Sequence, residues 1–343
     1  MMMKVAINGF GRIGRMVFRQ LIKDEGTEIV AVNASYPVET LAHLIRYDSV
    51  HGPFQGEVQT DGQYLIANHK RVLVCQERNP EVLPWGDLGV ETVIEATGAF
   101  TSREKAALHL RAGAERVIIT APGEDADATL VMGVNHEQYN PDRHRIISNA
   151  SCTTNCLAPV AKTIHRNFHI ESAVMTTVHS YTNDQLNIDN PHADLRRARS
   201  CATSIIPTTT GAAKAMGLVM PELAGKMHGI SLRIPTPNVS LVDLVCEVRS
   251  STDMEEVNGV LRSAATGDMA GVLSVCDEPL VSTDFNGNAH SSIVDSLSTM
   301  VMNRHTVKIL AWYDNEWGYA SRVCDMVKFT GSRSNEKQMP ITS

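Results

Sequence analysis

The sequence predicts a two-domain α/β protein, in which a doubly wound parallel sheet is followed by an α+β domain with a large mixed or antiparallel sheet. Three observations support this prediction. The chain has 343 residues, enough for about two domains. In the first half, short apolar strands alternate with helical stretches, which is typical of a parallel sheet with right-handed crossovers. From Ile170 onward the strand-like runs are longer and the helices between them are fewer.

The elements of the first half follow from local patterns. Lys4 to Asn8 forms a short apolar strand, and a glycine turn leads into a helix expected to run to about Asp24, with Gly26 as its C-terminal stop. Thr101 to Glu104 has the pattern of a capping box, which begins a helix ending near Ala112. Further strands of this half are expected at Glu28 to Asn33, Glu91 to Ala96, Arg116 to Ala121 and Arg145 to Ser148.

The second half contains longer alternating strands. Ser231 to Val248 and Thr306 to Tyr313 alternate as half-exposed strands do. Helices are expected at Cys156 to Phe168, Gly211 to Met220, Met254 to Ala265 and Tyr319 to Lys328. We therefore place the first domain at residues 1–151 and the second at 152–316, with a C-terminal helix over about 317–343 that packs back on the first domain.

Composition excludes several classes of protein. The hydrophobic content of 43% and charged content of 20% are those of a soluble globular protein, and the net charge of −7 argues against nucleic-acid binding. No signal peptide or membrane helix is expected, because Met1 to Lys4 leads straight into a strand and no apolar run is long enough. Seven cysteines without disulfide spacing fit a reducing cytoplasm. Cys152 and Cys156 lack a second ligand pair at zinc-site spacing, so no metal site is expected.

Gly9, Gly11 and Gly14 form a G-x-G-x-x-G between a strand and a helix. These glycines permit a tight turn and let a pyrophosphate approach the helix N-terminus, so the sequence predicts a Rossmann-type dinucleotide site. A purely structural turn is the alternative.

The second strand lacks the acidic residue that usually follows it. Asp or Glu there grips the ribose 2′-hydroxyl of NAD, but the strand ends in Asn33-Ala34-Ser35. The absence of a carboxylate at Ala34 removes a barrier to a 2′-phosphate, and Ser35 offers a hydroxyl donor. The sequence therefore favours NADP, or the use of both NADP and NAD. The alternative is that Asn33 alone suffices for NAD.

Cys152 lies where a strand gives way to a helix, among serine and threonine residues. A cysteine in the first helical turn meets unpaired backbone N–H groups and the positive end of the helix dipole, which stabilise its reactive thiolate. The alternative is a small buried hydrophobic residue. The basic run Leu195 to Arg199 likewise has two interpretations, a solvated face or a site for a small phosphorylated ligand.

Ordered motifs extend over essentially the whole chain. They are Ala6 to Arg15, Ser148 to Asn155, His179 to Gln185, Pro207 to Lys214, Arg233 to Val239 and Trp312 to Glu316. Together they resemble the phosphorylating glyceraldehyde-3-phosphate dehydrogenases. The resemblance implies that Cys152 is the nucleophile and that His179, as an imidazolium, lowers the pKa of the thiol and then shuttles a proton. In the family reaction the thiolate and the aldehyde form a hemithioacetal, hydride passes to the nicotinamide, and phosphate attacks the resulting thioester.

The resemblance also implies the binding residues. Two anion sites, for the phosphate of D-glyceraldehyde 3-phosphate and for inorganic phosphate, would use Ser151, Thr153, Thr182, Arg197, Thr210, Gly211 and Arg233. The coenzyme would lie against Gly9, Gly11, Arg12, Ile13, Gly14, Ala34, Ser35, Arg78, Thr120, Asn190 and Asn315.

Two departures from NAD-using relatives point to the NADP-preferring bacterial type. Ala34 replaces an Asp, and Asn190-Pro191 stands where a Leu-Pro pair is common. In the family's homotetramer this loop reaches a neighbouring subunit's coenzyme. The resemblance further implies a cytoplasmic enzyme run in the gluconeogenic direction. Erythrose-4-phosphate dehydrogenase, which shares the fold and the Cys/His pair, is the alternative.

Overall fold

The computed structural model describes residues 2–338, with side chains up to Arg333. The chain forms two compact units. Unit 1 contains the chain up to Leu130, His136–Ala150 and the chain from Ala320 onward. Unit 2 contains Val131–Asn135 and Ser151–Tyr319.

Unit 1 is built on a twisted, mainly parallel sheet. Its described strands are β1 (Met3–Asn8), β2 (Thr27–Asn33), β3 (Val58–Asp61), β4 (Tyr64–Ala67), β5 (Lys70–Cys75), β6 (Thr92–Glu95), β7 (Arg116–Ile119), β8 (Ala128–Thr129) and β9 (Ile146–Ser148). Their order is β3-β4-β5-β2-β1-β6-β7-β9-β8, and β5, β2, β1, β6, β7 and β9 run parallel. The predicted doubly wound parallel sheet is confirmed.

The strands at residues 58–75 were not predicted. Strands β3 to β5 form an antiparallel meander at one edge, with β5 joining β2 in parallel. Their burial alternates and their exposed positions carry charged or polar residues. Such short edge strands give a weak apolar signal, because only one face contacts the core.

Two of the helices of unit 1 end earlier than expected, and two others were not predicted. They are α1 (Arg12–Leu21), α2 (Val38–Arg46), α3 (Trp85–Leu88) and α4 (Arg103–Arg111). Helix α1 ends at Leu21 with Ile22 as its cap, so the prediction that Gly26 stops it was wrong. The carbonyl of Gly26 instead accepts the N–H of Met3, at the start of the sheet.

The capping box at Thr101 to Glu104 was misplaced by one residue. Ser102 is the N-cap of α4, and its hydroxyl accepts the backbone N–H of Lys105 at 3.4 Å. Either hydroxyl can cap a helix, so the choice depends on where the chain leaves β6 rather than on residue type.

Unit 2 contains a seven-stranded mixed sheet within the described chain. Its strands are β10 (Ile170–Ser180), β11 (Ile206–Thr209), β12 (Met227–Ile234), β13 (Ser240–Val248), β14 (Leu273–Cys276), β15 (Ser292–Met302) and β16 (Thr306–Tyr313). Its helices are α5 (Cys152–Phe168), α6 (Ala212–Val219) and α7 (Met254–Thr266). Strand β10 pairs in parallel with β12 and antiparallel with β13, which confirms the predicted mixed sheet.

The single strand expected at Ser231 to Val248 is two strands. Pro235 and Pro237 cannot donate ladder hydrogen bonds, and Val239 adopts a positive φ of 65°. The chain therefore turns after Ile234 and returns as β13. Two flanking alternating stretches hid this break in the sequence.

The last helix is longer than the stretch Tyr319 to Lys328, where the sequence pattern predicts a helix. Helix α8 spans Trp317–Gln338, and its residues from Ala320 belong to unit 1. There Ser321 donates to the side chain of Gln20, and Phe329 contacts the rings of His136 and Tyr139. Residues 339–343 of the expected helix lie outside the described residues. Among residues 2–338, no helix combines the length and apolar composition needed to cross a bilayer.

The glycine turn after β1 should be sensitive to added volume at one glycine and tolerant at another. A Cβ at Gly14 would lie 2.1 Å from the carbonyl oxygen of Gly9, whereas a Cβ at Gly11 would meet no atom within 4 Å. We expect Gly14→Ala to lower the free energy of unfolding by about 1–3 kcal/mol. The matched control Gly11→Ala should change it by less than about 0.5 kcal/mol. Urea unfolding measures both, and equal stabilities would contradict this packing.

Candidate active site

Cys152 is the first residue of α5, four residues earlier than the helix start expected at Cys156. Ser151 is the N-cap, and its Oγ accepts the backbone N–H of Thr154 at 3.0 Å. Serine is a strong capping residue, so the Ser-Cys-Thr-Thr run begins the helix and places the sulfur at its N-terminus. The backbone N–H groups of this first turn can stabilise an oxyanion at the reacting carbon.

His179 lies near the end of β10 and faces the sulfur. Its Nε2 is 3.6 Å from Sγ of Cys152, within hydrogen-bonding reach for sulfur. The ring is buried and packs edge-to-face against Tyr313, with ring centroids 5.9 Å apart. The structure thus brings together the two residues that the sequence separates by 27 positions.

The parallel register of β10 and β12 sets His179 beside Arg233. Nη1 of Arg233 is 2.7 Å from Nδ1 of His179 and donates to the carbonyl of Ser180 at 3.0 Å. Because a guanidinium only donates, the bond from Arg233 makes Nδ1 an acceptor and leaves the ring proton on Nε2, facing the sulfur. In the other tautomer Nδ1–H donates to the Ser180 carbonyl, 2.7 Å away, and Nε2 is free to accept a proton.

The surroundings of His179 disfavour its protonated form. Burial, together with the charges of Arg233 and Arg197, lowers the pKa of His179 to about 3. These effects favour a neutral ring over the imidazolium that the resemblance implies. The fixed positive charge beside the sulfur belongs to arginine instead.

The thiol of Cys152 is subject to opposing effects. Burial raises its pKa above the ordinary value, while the charge of Arg233 and hydrogen bonding from Thr153 lower it. The residue as a whole remains partly accessible. Arg233 is thus the group that favours the thiolate electrostatically.

Thr153 is held inside unit 2. Its Oγ1 and that of Thr177 each lie 2.8 Å from the hydroxyl of Tyr313, so one phenol bridges the residue after Cys152 and the strand that carries His179. Sequence reasoning missed Tyr313 and Thr177 as site residues, although Tyr313 lies within a motif that the resemblance uses.

Arg197 belongs to a network of charged and hydroxyl groups. Its guanidinium forms an ion pair with Asp184, its Nε donates to Thr208 at 3.0 Å, and Asp194 lies 3.6 Å away. Arg197 also lowers the pKa of both His179 and Arg233, so its charge acts at the same site. Within the run Leu195 to Arg199, Arg197 thus belongs to a network that influences His179, whereas Leu195, Arg196 and Arg199 are exposed.

Two further predicted anion ligands lie at the start of α6. Gly211 is its N-cap, and Oγ1 of Thr210 accepts the backbone N–H of Ala212 at 3.2 Å. Thr182 lies just beyond β10, where its backbone N–H donates to Gln185 at 3.4 Å.

The glycine turn that the sequence predicts as a pyrophosphate site is closely packed in unit 1. Gly9 has a positive φ of 94°, and Gly14 packs against its carbonyl. Arg12 and Ile13, at the start of α1, are half-buried. The Arg12 guanidinium forms a bidentate ion pair with Asp48, which holds the pKa of that carboxyl well below its usual range. Sequence reasoning missed Asp48.

The other predicted coenzyme residues of unit 1 lie beyond the carboxyl ends of parallel strands. Ala34 follows β2, where its backbone N–H donates to the carbonyl of Cys75 at 3.0 Å. Ser35 and Arg78 are exposed, and Oγ1 of Thr120 donates to the carbonyl of Glu95 at 3.1 Å. Ligands of open α/β sheets bind at these strand ends, at the point where the strand order reverses.

Asn190 and Asn315 belong to unit 2. Asn190 is exposed in the loop that follows β10, and its backbone N–H donates to the carbonyl of Ala198 at 3.0 Å. Asn315 is buried, and its Oδ1 accepts the hydroxyl of Ser240 at 2.7 Å. This bond fixes the side-chain amide with its NH₂ as the remaining donor.

Cys156 is not part of the reactive pair. Its side chain is fully buried, its Sγ donates to the carbonyl of Ala311 at 3.7 Å, and burial raises its pKa. Within the described residues, no three His, Cys, Asp or Glu side chains gather as metal ligands would.

Two family profiles match this chain. One is described as "Glyceraldehyde 3-phosphate dehydrogenase, NAD binding domain" and matches residues 3–103. The other is described as "Glyceraldehyde 3-phosphate dehydrogenase, C-terminal domain" and matches residues 151–315.

Individual proteins of the same name are similar over nearly their whole length. "Glyceraldehyde-3-phosphate dehydrogenase 2" of Bacillus subtilis (strain 168) is 59% identical over 333 residues, which cover 97% of this chain and 98% of that protein. The Geobacillus stearothermophilus glyceraldehyde-3-phosphate dehydrogenase is 56% identical, covering 97% and 99%. "Glyceraldehyde-3-phosphate dehydrogenase 1" of Bacillus subtilis (strain 168) is 55% identical, with the same coverage of 97% and 99%.

The lowered pKa of His179 predicts a pH dependence of stability. Its pKa falls from 6.5 when exposed to about 3 when folded. Between these values the unfolded chain binds more protons than the folded one, so this stability is complete above pH 6.5 and declines as the pH falls towards 3. We expect the loss to reach about 2 kcal/mol at pH 5 and to disappear in His179→Gln.

Urea unfolding at pH 7 and pH 5 measures this difference. From pH 7 to pH 5, the free energy of unfolding of His179→Gln should rise by about 2 kcal/mol relative to that of wild type, because only the wild type loses this contribution. His228→Gln, an exposed histidine on β12, is the control and should show no such change. The same pH dependence in wild type and His179→Gln would show that the ring is charged in the folded chain.

Proposed function

Because this chain belongs to the glyceraldehyde-3-phosphate dehydrogenase family, we propose that it oxidises and phosphorylates D-glyceraldehyde 3-phosphate reversibly to 1,3-bisphosphoglycerate. The reaction proceeds through a thioester on Cys152, with NADP as the preferred coenzyme and NAD as a second one. The observation that carries this proposal is the contact between Sγ of Cys152 and Nε2 of His179, at the N-terminus of α5 and beside Arg233.

The first step is attack of the Cys152 sulfur on the aldehyde carbon. The carbon–sulfur bond forms as the carbonyl π bond becomes an oxyanion, which the N–H groups of the first helical turn stabilise. When Nδ1 of His179 donates to the Ser180 carbonyl, Nε2 can take the proton of the thiol or of the hemithioacetal hydroxyl. When Arg233 donates to Nδ1, the Nε2 proton instead stabilises negative charge on sulfur or oxygen.

The bound nicotinamide coenzyme supplies the hydride acceptor that converts the hemithioacetal to a thioester. The glycine turn fits such a dinucleotide, because the side-chain space at Gly11 is open and the turn exposes backbone N–H groups at the start of α1. Arg12, Ile13, Arg78 and Thr120 would hold it. The NH₂ group of Asn315 is suited to a carboxamide oxygen.

Phosphate recognition fits the positive charge around the sulfur. Arg197 and Arg233 provide two guanidinium groups, and Ser151, Thr153, Thr182, Thr210 and Gly211 provide hydroxyl or backbone N–H donors. One anion site would bind the phosphate of the substrate. The other would bind the inorganic phosphate whose oxygen attacks the thioester and releases the Cys152 thiolate.

The preference for NADP rests on the chain after β2. No carboxylate follows Asn33, so a 2′-phosphate would meet Ala34 and the exposed hydroxyl of Ser35. A carboxylate at position 34 would repel that phosphate by about 1–4 kcal/mol per unit charge at about 4 Å. Asn190 supports the same preference if the chain assembles as the family's homotetramer, where its amide would reach the 2′-phosphate of a neighbouring subunit.

Exposed apolar side chains on the sheet of unit 2 support assembly. Val174 on β10 and Ile230 on β12 are 60% and 52% exposed, and Met300 on β15 is 55% exposed. Apolar residues clustered on an exposed sheet face are typical of a subunit interface. By family resemblance we place the enzyme in the cytoplasm and in the gluconeogenic direction.

Replacing the nucleophile should abolish turnover without affecting coenzyme binding. We expect Cys152→Ser to lower kcat by about three orders of magnitude or more, because a serine hydroxyl is a poor nucleophile here and an alkoxide a poor leaving group. The dissociation constant for NADP should change by less than about twofold. Cys156→Ser, one turn along the same helix, is the control and should keep its kcat within about tenfold. Undiminished turnover in Cys152→Ser would refute the assigned nucleophile.

Introducing a carboxylate after β2 should reverse the coenzyme preference. We expect Ala34→Asp to lower the ratio of kcat/KM for NADP to that for NAD by about 5-fold to several hundred-fold, through repulsion of the 2′-phosphate. Ala34→Asn has the same size without the charge and should change the ratio far less. Steady-state kinetics with both coenzymes measures this, and a strong preference of the wild type for NAD would refute the account of Ala34 and Asn190.

A further inference from the structure

A buried acid, an imidazole and an indole form a continuous hydrogen-bonded chain in unit 1, apart from the proposed reaction centre. Nε1 of Trp85 donates to Nδ1 of His109 at 3.0 Å, and Nε2 of His109 lies 3.1 Å from Oε2 of Glu95. All three side chains are at most 1% exposed. None of them was predicted as a functional residue.

The indole decides the tautomer of His109. Because an indole N–H can only donate, Nδ1 of His109 is an acceptor and its proton lies on Nε2. That proton points at Oε2 of Glu95. The imidazole is thus hydrogen-bonded on one side to Trp85 on α3 and on the other to the carboxylate on β6. His109 lies on α4, and the chain thus joins two helices to one strand.

Glu95 accepts hydrogen bonds from four donors. Oε2 accepts from Nε2 of His109 and from Nδ2 of Asn8 at 2.6 Å. Oε1 accepts from the backbone N–H and the hydroxyl of Thr97, at 2.7 Å and 2.5 Å. Both carboxylate oxygens therefore accept hydrogen bonds. If an amide NH₂ group replaced one oxygen, it would point a donor at groups that are themselves donors.

These partners belong to the two segments that border the proposed pyrophosphate site. Asn8 is the last residue of β1, lies opposite Glu95 in the parallel register and leads directly into the glycine turn. A Cβ at Gly9 would lie 2.6 Å from the backbone nitrogen of Thr97, so the turn and the loop after β6 are in contact. Oδ1 of Asn8 also accepts Nδ2 of Asn33 at 2.7 Å, which extends the network to the end of β2.

We propose that Glu95 is a positioning residue for the dinucleotide coenzyme: its buried carboxylate holds the glycine turn, through Asn8, and the loop after β6, through Thr97, in the arrangement that receives the coenzyme. Trp85 and His109 fix the orientation of the carboxylate through the hydrogen bonds from Trp85 to His109 and from His109 to Glu95. The inference rests on the proposed dehydrogenase function in naming the ligand. It assigns to this network preorganisation of the binding site rather than a step of the chemistry.

Glu95→Gln tests this role with an almost unchanged side-chain volume. We expect the dissociation constants for NADP and NAD to rise by about 5-fold to 100-fold, because the amide meets the donors of Asn8 and His109 and releases the turn. ADP-ribose, which lacks the nicotinamide, should weaken by a similar factor. The kcat at saturating coenzyme and the KM for the aldehyde should stay within about threefold, because the reacting groups lie on Cys152 and His179.

Thr92→Val is the matched control. Thr92 is also fully buried on β6, three positions earlier, and its hydroxyl accepts Nη1 of Arg116 at 3.2 Å. It lies at the opposite end of the strand from the glycine turn. We expect Thr92→Val to lower the melting temperature while leaving the three dissociation constants within about twofold of wild type.

Thr97→Val keeps the test valid if Glu95→Gln fails to fold. It removes one bond to the carboxylate from an exposed loop residue, so it should weaken coenzyme binding in the same direction by a smaller factor. Wild-type dissociation constants in Glu95→Gln, or in Thr97→Val if Glu95→Gln does not fold, would overturn the inference. So would a lower kcat with unchanged coenzyme binding. A wild type that binds ADP-ribose but reduces neither coenzyme would instead overturn the proposed function.

Discussion

The contact between the Cys152 sulfur and the His179 ring is the interaction on which the proposed chemistry of this chain depends. It exists because α5 begins at Cys152 and because β10 runs beside β12, which sets Arg233 against the far side of the imidazole. Helix α5 therefore supplies one partner of the ring and strand β12 the other. Arg233 influences the tautomer of His179 on one side and the charge on Cys152 on the other, so a single guanidinium couples the proposed base and the proposed nucleophile.

Burial decides where the positive charge of this site resides. A buried imidazole loses its proton readily, and two neighbouring guanidiniums lower its pKa further. An arginine keeps its proton under the same conditions because its reference pKa is far higher. Arg233 therefore favours the thiolate, against the burial that raises the pKa of Cys152, while His179 remains able to accept a proton. This division of roles suits a reaction that needs both an anion and a base.

Unit 1 holds several loops at the carboxyl ends of its parallel strands. Gly9 and Gly14 let the first turn close tightly, but glycines confer freedom as well as fit. The buried carboxylate of Glu95 restricts the turn, because it accepts hydrogen bonds both from Asn8, the last residue of β1, and from Thr97, in the loop after β6. A rigid site loses less conformational entropy when it binds a ligand.

The sequence by itself determined the class of fold, the glycine turn and the cysteine proposed as nucleophile, because these depend on local periodicity, on glycine and on a helix cap. Only the tertiary structure decided the start of α5, the break between β12 and β13, and the lowered pKa of His179. Each of these depends on neighbours remote in sequence, as Arg233 is from His179. Glu95 and His109 were not predicted for the same reason. The hydrogen-bond partners of a buried acid and imidazole are identified only once strands and helices have brought them together.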